Sequence, residues 1–151
     1  MTHLSGHIHV RRSPQDVFDF LADEQNEPSY NPRMTQVVKA TDGPIGLGSR
    51  FTCVLVSGHR RVPMETEYTH FDRPRMLASR TRGAHRDVVA RIAFESEAGG
   101  THLWWSEDVN PTGVLRFMGP AVRLRGRRQD RALWTRLKSH LEHADAPASA
   151  P

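Results

Sequence analysis

Apolar and polar residues alternate along most of the chain from His7 to about Asn110, and the spacing turns helical only near the start and again at the end. In "HIHVRR", Ile8 and Val10 fall on one side and His7 and His9 on the other, which is the period of a strand with one face on a core. "SPQDVFDFLAD" interrupts that period. Ser13 supplies an N-cap, Pro14 suits the first helical position, Asp16 sits in the first turn, and Val17, Phe18 and Leu21 share a face, so the segment predicts a short helix. Pro28 and Pro32 then end the helical region, because proline lacks a backbone donor and biases the residue before it toward extended geometry.

Strand periodicity resumes in "TQVVKAT" and continues through "RFTCVLVSG", "RVPMETEYTHF", "MLASRTR", "DVVARIAFESE" and "THLWWSEDVNP", separated by the turns "DGPIGLGS", "DRPR" and "AGG". With the first, these make seven strands. After "NPTG" the pattern reads as helix to His143, with Leu133, Leu137 and Leu141 at i, i+4 and i+8 and a break at Gly119-Pro120. Consecutive strands joined by short turns build an antiparallel meander, and a sheet with one apolar face must cover it. The terminal helix is the only element long enough to do so. The expected class is therefore α+β: a seven-stranded antiparallel sheet, one or two short helices after strand one, and a long C-terminal helix. Residues 1–143 form one domain in this reading, and "ADAPASAP" (144–151) is a disordered tail.

Composition narrows the chemistry. The chain has 151 residues, one cysteine and a net charge of +4, so it supports one core, no internal disulfide and no cysteine-based zinc site. No apolar run is long enough to span a bilayer, and "MTHLSGHIHVRRS" lacks the apolar centre of a signal peptide. The expected location is the cytoplasm. All but two of the 21 basic residues are arginine, many of them in "RLRGRRQDR". On a helix Arg123, Arg127 and Arg131 line up as a stripe opposite the apolar face, and solvation is the reading adopted. The alternative is a face for acidic headgroups or RNA phosphates, although no exposed aromatics interleave it. Nucleic acid is not expected as a partner, peripheral membrane contact stays open, and the protein is expected as a monomer or homodimer.

No phosphate loop, zinc-type spacing or nucleophile elbow is present, and no cofactor is expected. His7 with His9, and His140 with His143, share faces but lack a neighbouring carboxylate, so no metal site is assigned. Cys53 in "FTCVL" reads as a small buried hydrophobe. Alternation offers better candidates. Leu103, Trp105, Glu107 and Val109 share one face of the last strand, Met64, Thr66 and Tyr68 share one face of another, and Ala90, Ile92 and Phe94 share one of a third. Glu107 would then point into an apolar interior, where a carboxyl either pairs or has its pKa raised, the condition for acid–base work. The alternative is a rim glutamate paired with a helix arginine. Gln129, one turn before Leu133, would offer an amide to the same space. Tyr30, in "EPSYNP", is either a plug packed on the terminal helix or a cavity wall with its hydroxyl free.

The segments "RSPQDVFDFLAD", "NEPSYNP", "GPIGLGSRF", "TEYTHFDRPRMLA", "GGTHLWWSEDVNPTG" and "LKSHLE", in this order from about His7 to Glu142, resemble the START-like or SRPBCC superfamily, in particular its bacterial polyketide cyclase/dehydrase-like members. The resemblance implies a helix-grip fold, in which a curved sheet wraps around the terminal helix and leaves a deep cavity. Superfamily members include aromatic polyketide cyclases, lipid and sterol carriers, quinone-binding proteins and hormone sensors, so the fold names no single activity. Three functions follow as expectations. The first is a binder of a hydrophobic small molecule such as a lipid, quinone or polyketide-like aromatic. The second is a cyclase or dehydratase using Glu107 with Tyr30 or Tyr68, and the third a basic membrane- or ribosome-interacting module. The scarcity of polar residues that alternation places inward favours the first.

Overall fold

The computed structural model describes the backbone of residues 1–112 and 120–144, and the side chains of 1–112 and 127–143. Strand β1 (Thr2–Val10) leads to helix α1 (Pro14–Ala22) and a 3₁₀ helix (Glu24–Ser29). Strands β2 (Met34–Lys39), β3 (Arg50–Ser57), β4 (Arg60–Asp72), β5 (Met76–Gly83), β6 (Arg86–Glu97) and β7 (Gly100–Pro111) follow, then helix α2 (Pro120–Ala144). All seven strands form one antiparallel sheet in the order β1-β7-β6-β5-β4-β3-β2. The sheet is thus a meander from β2 to β7, closed on one side by the return of β1.

Local chemistry explains the short helices. The Ser13 side chain accepts from the Asp16 N–H at 3.2 Å, and Pro14 occupies the first turn, where its missing donor costs nothing. Val17, Phe18, Leu21 and Ala22 are buried against the sheet. Asp23 ends α1 and caps the next element, accepting from the Gln25 N–H at 3.1 Å. Pro28 does not end the helical region but lies inside the 3₁₀ helix. Strand β1 likewise begins at Thr2, earlier than its alternation predicts, because its whole length pairs with β7 from Thr2–Val109 to Val10–Thr101.

Helix α2 buries Trp134, Leu137 and Leu141, while Leu133 is only half-buried. Trp134 takes the place that leucine spacing assigns to Leu133, because its ring stacks on Trp105 with centroids 4.3 Å apart. Trp105 in turn lies across β1 over Gly6, where a Cβ would come within 2.4 Å of the indole, so only glycine fits. Lys138 donates to the His9 carbonyl at 2.7 Å and Arg12 to the Leu141 carbonyl at 3.1 Å, tying the end of α2 to β1. Arg127 and Arg131 are exposed, the side chain of Arg123 lies outside the described residues, and so do residues 113–119 and 145–151, with Gly119 and most of the expected tail.

Register stacks the inward side chains in rows. Leu103 pairs with Ile8 and Phe94, and Trp105 with Gly6 and Ile92, which pairs with Leu77. The next row runs Leu4, Glu107, Ala90, Ser79, Tyr68, and the one after it Val109, Val88, Thr81, Thr66, Phe51. The last contains Arg86 on β6, then Gly83, Met64 and Cys53. Register shifts between Tyr68 and His70 and between Thr35 and Val38 bend the sheet. One end of the interior is accordingly hydrocarbon, and the other carries polar side chains among apolar ones.

Candidate functional site

The 3₁₀ helix supplies an acidic pair. With three residues per turn, side chains at i and i+3 eclipse, so Glu24 and Glu27 lie on one side and their carboxyls hydrogen-bond. Burial, then the Glu27 charge, holds Glu24 well above the usual carboxylate range. Tyr68 touches the same group: its hydroxyl lies 2.6 Å from the Ala22 carbonyl and 3.2 Å from Glu24 Oε1. The hydroxyl has one proton, and the shorter contact to a pure acceptor takes it, so the Glu24 contact is best served by a protonated carboxyl donating to the phenol oxygen. Glu27 accepts from Asn31 Nδ2 at 2.8 Å, and Asn31 Oδ1 from the Arg33 N–H at 3.2 Å. The segment "EPSYNP" thus returns the chain to β2 and fixes Glu27. Tyr30 itself packs on Phe20, ring centroids 5.9 Å apart, and burial raises its hydroxyl well above the ordinary tyrosine range.

Glu107 stands on β7 between Leu4 and Ala90. Burial pushes its pKa up to about 7, the Asp130 and Glu27 charges add to the rise, and the Arg86 charge opposes it. It has no hydrogen-bond or ion-pair partner among the described residues, so the rim pairing with a helix arginine is not found there. Asp130 is served differently. Its two oxygens accept from the indole N–H groups of Trp105 and Trp134, each at 3.0 Å, and these bonds oppose the rise that burial causes. Thr66 and Thr81 face each other across β4 and β5 at 2.8 Å. Burial pushes the Cys53 thiol up to about 12, which leaves it protonated and unreactive.

Of the residues that sequence singled out, Met64, Thr66, Tyr68, Phe94, Leu103 and Trp105 are buried on the inward face, and Ala90, Ile92, Glu107 and Leu133 are half-buried. Gln129 is exposed and accepts from Arg33 Nη1 at 2.6 Å. Sequence reasoning passed over Glu24, Glu27, Arg86 and Asp130. Two signals were available: Arg86 continues the alternation of Val88, Ala90, Ile92 and Phe94, and Asp130 lies four residues before Trp134 on one helix face. With these groups included, the premise of a polar-poor interior no longer holds.

Two grooves open on the described surface: one, about 780 Å³, is lined by Val38, Thr52, Cys53, Met64, Arg82 and Gly83 and so reaches the last row, and the other, about 630 Å³, by Tyr30, Pro32, Arg136, Ser139, His140 and His143. Among the described residues no group of three or more His, Cys, Asp or Glu side chains could hold a metal, and no helix is long and apolar enough to cross a membrane.

The sequence profile described as polyketide cyclase / dehydrase and lipid transport matches residues 1–142, nearly the whole chain. The chain belongs to this family. Solved structures agree on the fold. A START superfamily protein from Mycobacterium smegmatis is 16% identical at a TM-score of 0.81, covering 95% of this chain and 99% of that one. A protein from Thermus thermophilus is 15% identical at 0.74, with the same coverage, and one from Chromobacterium violaceum 11% identical at 0.73, covering 94% and 99%. A search of curated proteins finds no significant match. At such identities the likeness speaks for the fold, and the curved sheet gripping α2 is the helix-grip fold of the START/SRPBCC superfamily.

Proposed function

We propose that this family member binds a hydrophobic small molecule, such as a lipid, a quinone or a polyketide-like aromatic, between the inward sheet face and α2. The observation that carries the reading is Glu107: a carboxyl set among Leu4, Ala90 and Trp105, with a pKa near 7 and no described partner. Glu107 is half-buried, and a carboxyl held among apolar side chains with no described hydrogen-bond partner is suited to a polar group on a bound molecule. Apolar neighbours supply affinity, and Glu107, Thr66 and Tyr68 supply orientation. A cytoplasmic location and a monomeric or homodimeric state belong to the same reading. Native mass spectrometry of the protein purified from its source tests it, since a bound hydrophobic molecule should be released with the folded chain. A ligand-free protein that also binds no hydrophobic fluorescent probe would refute it.

A second reading, a cyclase or dehydratase, is favoured by the combination of Glu107 with Glu24, whose carboxyl burial holds well above the usual range, because proton transfer draws on carboxyls with raised pKa. Glu107→Gln separates the two readings. Loss of turnover with probe binding retained supports chemistry, whereas weakened probe binding supports a ligand-orienting role.

A further inference from the structure

Several arginines on the described surface pair with acids. Arg73 makes a two-pronged pair with Asp19 at 2.7 and 2.8 Å, Arg80 meets Asp87 at 2.9 Å, and Arg75 meets Asp72 at 3.3 Å. Arg86 is built differently. It opens β6 on the face that continues through Val88, Ala90, Ile92 and Phe94, and its neighbours in the last row are Gly83, Met64 and Cys53. Burial, followed by the like charge of Arg33, lowers its pKa, while the Glu107 charge works the other way. Among the described residues nothing accepts a hydrogen bond from it.

Among the described residues no acid forms an ion pair or hydrogen bond with it, and Glu107 acts on it only through its charge. Glu107 stands two rows away, a separation of about 13 Å along the strands at four residues' rise. Arg33, the other cation at this end, is already engaged with the Val56 carbonyl at 3.3 Å and with Gln129. Residues 113–126, "GVLRFMGPAVRLRG", contain three arginines and no Asp or Glu. At Gly83, the neighbour of Arg86 in this row, the Met64 side chain lies 3.2 Å from where a Cβ would stand, so the row is apolar there. A half-buried guanidinium with planar, forked donors and no described hydrogen-bond acceptor is suited to a carboxylate, which accepts two parallel bonds. Between Arg86 and Glu107 lie Val88, Val109, Phe51 and the Thr66–Thr81 pair, a mostly apolar wall for the body of the same molecule.

We propose that Arg86 anchors the carboxylate of a hydrophobic acid, so that the ligand class is an amphiphilic monocarboxylic acid whose apolar body runs along the inward face toward Glu107. The inference rests on the hydrophobic-ligand reading above and narrows it, because a neutral lipid or quinone would leave the guanidinium unmatched.

Fluorescence titration of the full chain with cis-parinaric acid and with its methyl ester tests this, the two probes differing only in the ionised head. The native protein should bind the acid roughly ten- to hundredfold more tightly than the ester, the factor expected of a hydrogen-bonded charge pair. Arg86→Met should remove that preference by weakening the acid alone, and Arg86→Lys should keep part of it, since an ammonium retains the charge but not the fork. Equal affinity of the native protein for acid and ester, or an acid preference that survives Arg86→Met, overturns the inference while leaving the hydrophobic-ligand reading in place. Failure of both probes to bind the native protein overturns both. Should Arg86→Met not fold, the acid-to-ester ratio of the native protein, and its decline with added salt, still decide the question.

Discussion

The two ends of the interior obey different rules. At the α1 end, Val10, Val17, Phe18, Phe94, Leu103, Leu137 and Leu141 close on one another, and Leu103 and Leu137 are 0% exposed. The β2–β4 end has a smaller cluster of Met34, Cys53, Leu55 and Met64, none of them fully buried, and beside it stand Glu107, Arg86 and the Thr66–Thr81 pair. The first region is filled mainly by hydrocarbon, and its buried Thr101 is satisfied by the Arg12 carbonyl at 2.7 Å. The second holds a carboxyl and a guanidinium with no described hydrogen-bond partner, each feeling the other's charge. Stability should therefore reside at one end and ligand recognition at the other, a division that substitutions can test.

The largest effect should come from removing what both ends share. Deleting Ala132–Pro151 takes away Trp134, Leu137 and Leu141, each contributing roughly 1.5–3 kcal/mol of burial, against a total stability of about 5–15 kcal/mol. Cooperative thermal unfolding should disappear, and a truncated chain melting near the full-length midpoint would contradict the role of α2. Next, Leu103→Ala at the closed end should cost about 2–5 kcal/mol in chemical denaturation, while hydrophobic-probe affinity of the folded variant stays within a small factor of the parent. If the same substitution abolishes binding in the folded state, the two ends are not separate.

At the polar end the signature is a pH dependence. Glu107 has a folded pKa of about 7, above the ordinary value of 4.5, so the native state holds the proton longer than the unfolded chain. Its contribution is fully present below about pH 4.5 and is lost as pH rises through 7, costing up to about 3 kcal/mol above that. Glu107→Gln should flatten that part of the stability–pH curve. Carboxyl NMR that finds Glu107 titrating near 4.5 would remove it from the interior. Tyr68→Phe should cost about 1–3 kcal/mol, because the Ala22 carbonyl and Glu24 both lose the hydroxyl. The smallest effect belongs to the exposed face of α2, where Arg127→Gln with Arg131→Gln should change stability by no more than about 0.5 kcal/mol and leave probe uptake intact.

Much of this architecture is a property of the sequence itself. Alternation marks the strands, Ser13 and Pro14 start α1, and the leucine spacing makes α2 amphipathic, because each signal depends on residues near one another in the chain. Alternation also tells which side of a strand is apolar, and on that basis alone Glu107, Thr66 and Tyr68 share a side with hydrophobic neighbours. Tertiary structure decided what meets what. Glu24 and Glu27 become a hydrogen-bonded pair only because the segment winds as a 3₁₀ helix under Tyr68, and that winding is invisible to a reading in which Pro28 ends the helix. Asp130 acquires its role only when α2 lies on β7 and brings two indoles to its oxygens. Arg86 is one charge among many in the sequence, and register alone puts it on the inward face, two rows from Glu107. Periodicity is local and survives in a single chain segment, whereas partnership depends on which distant residues the fold brings together.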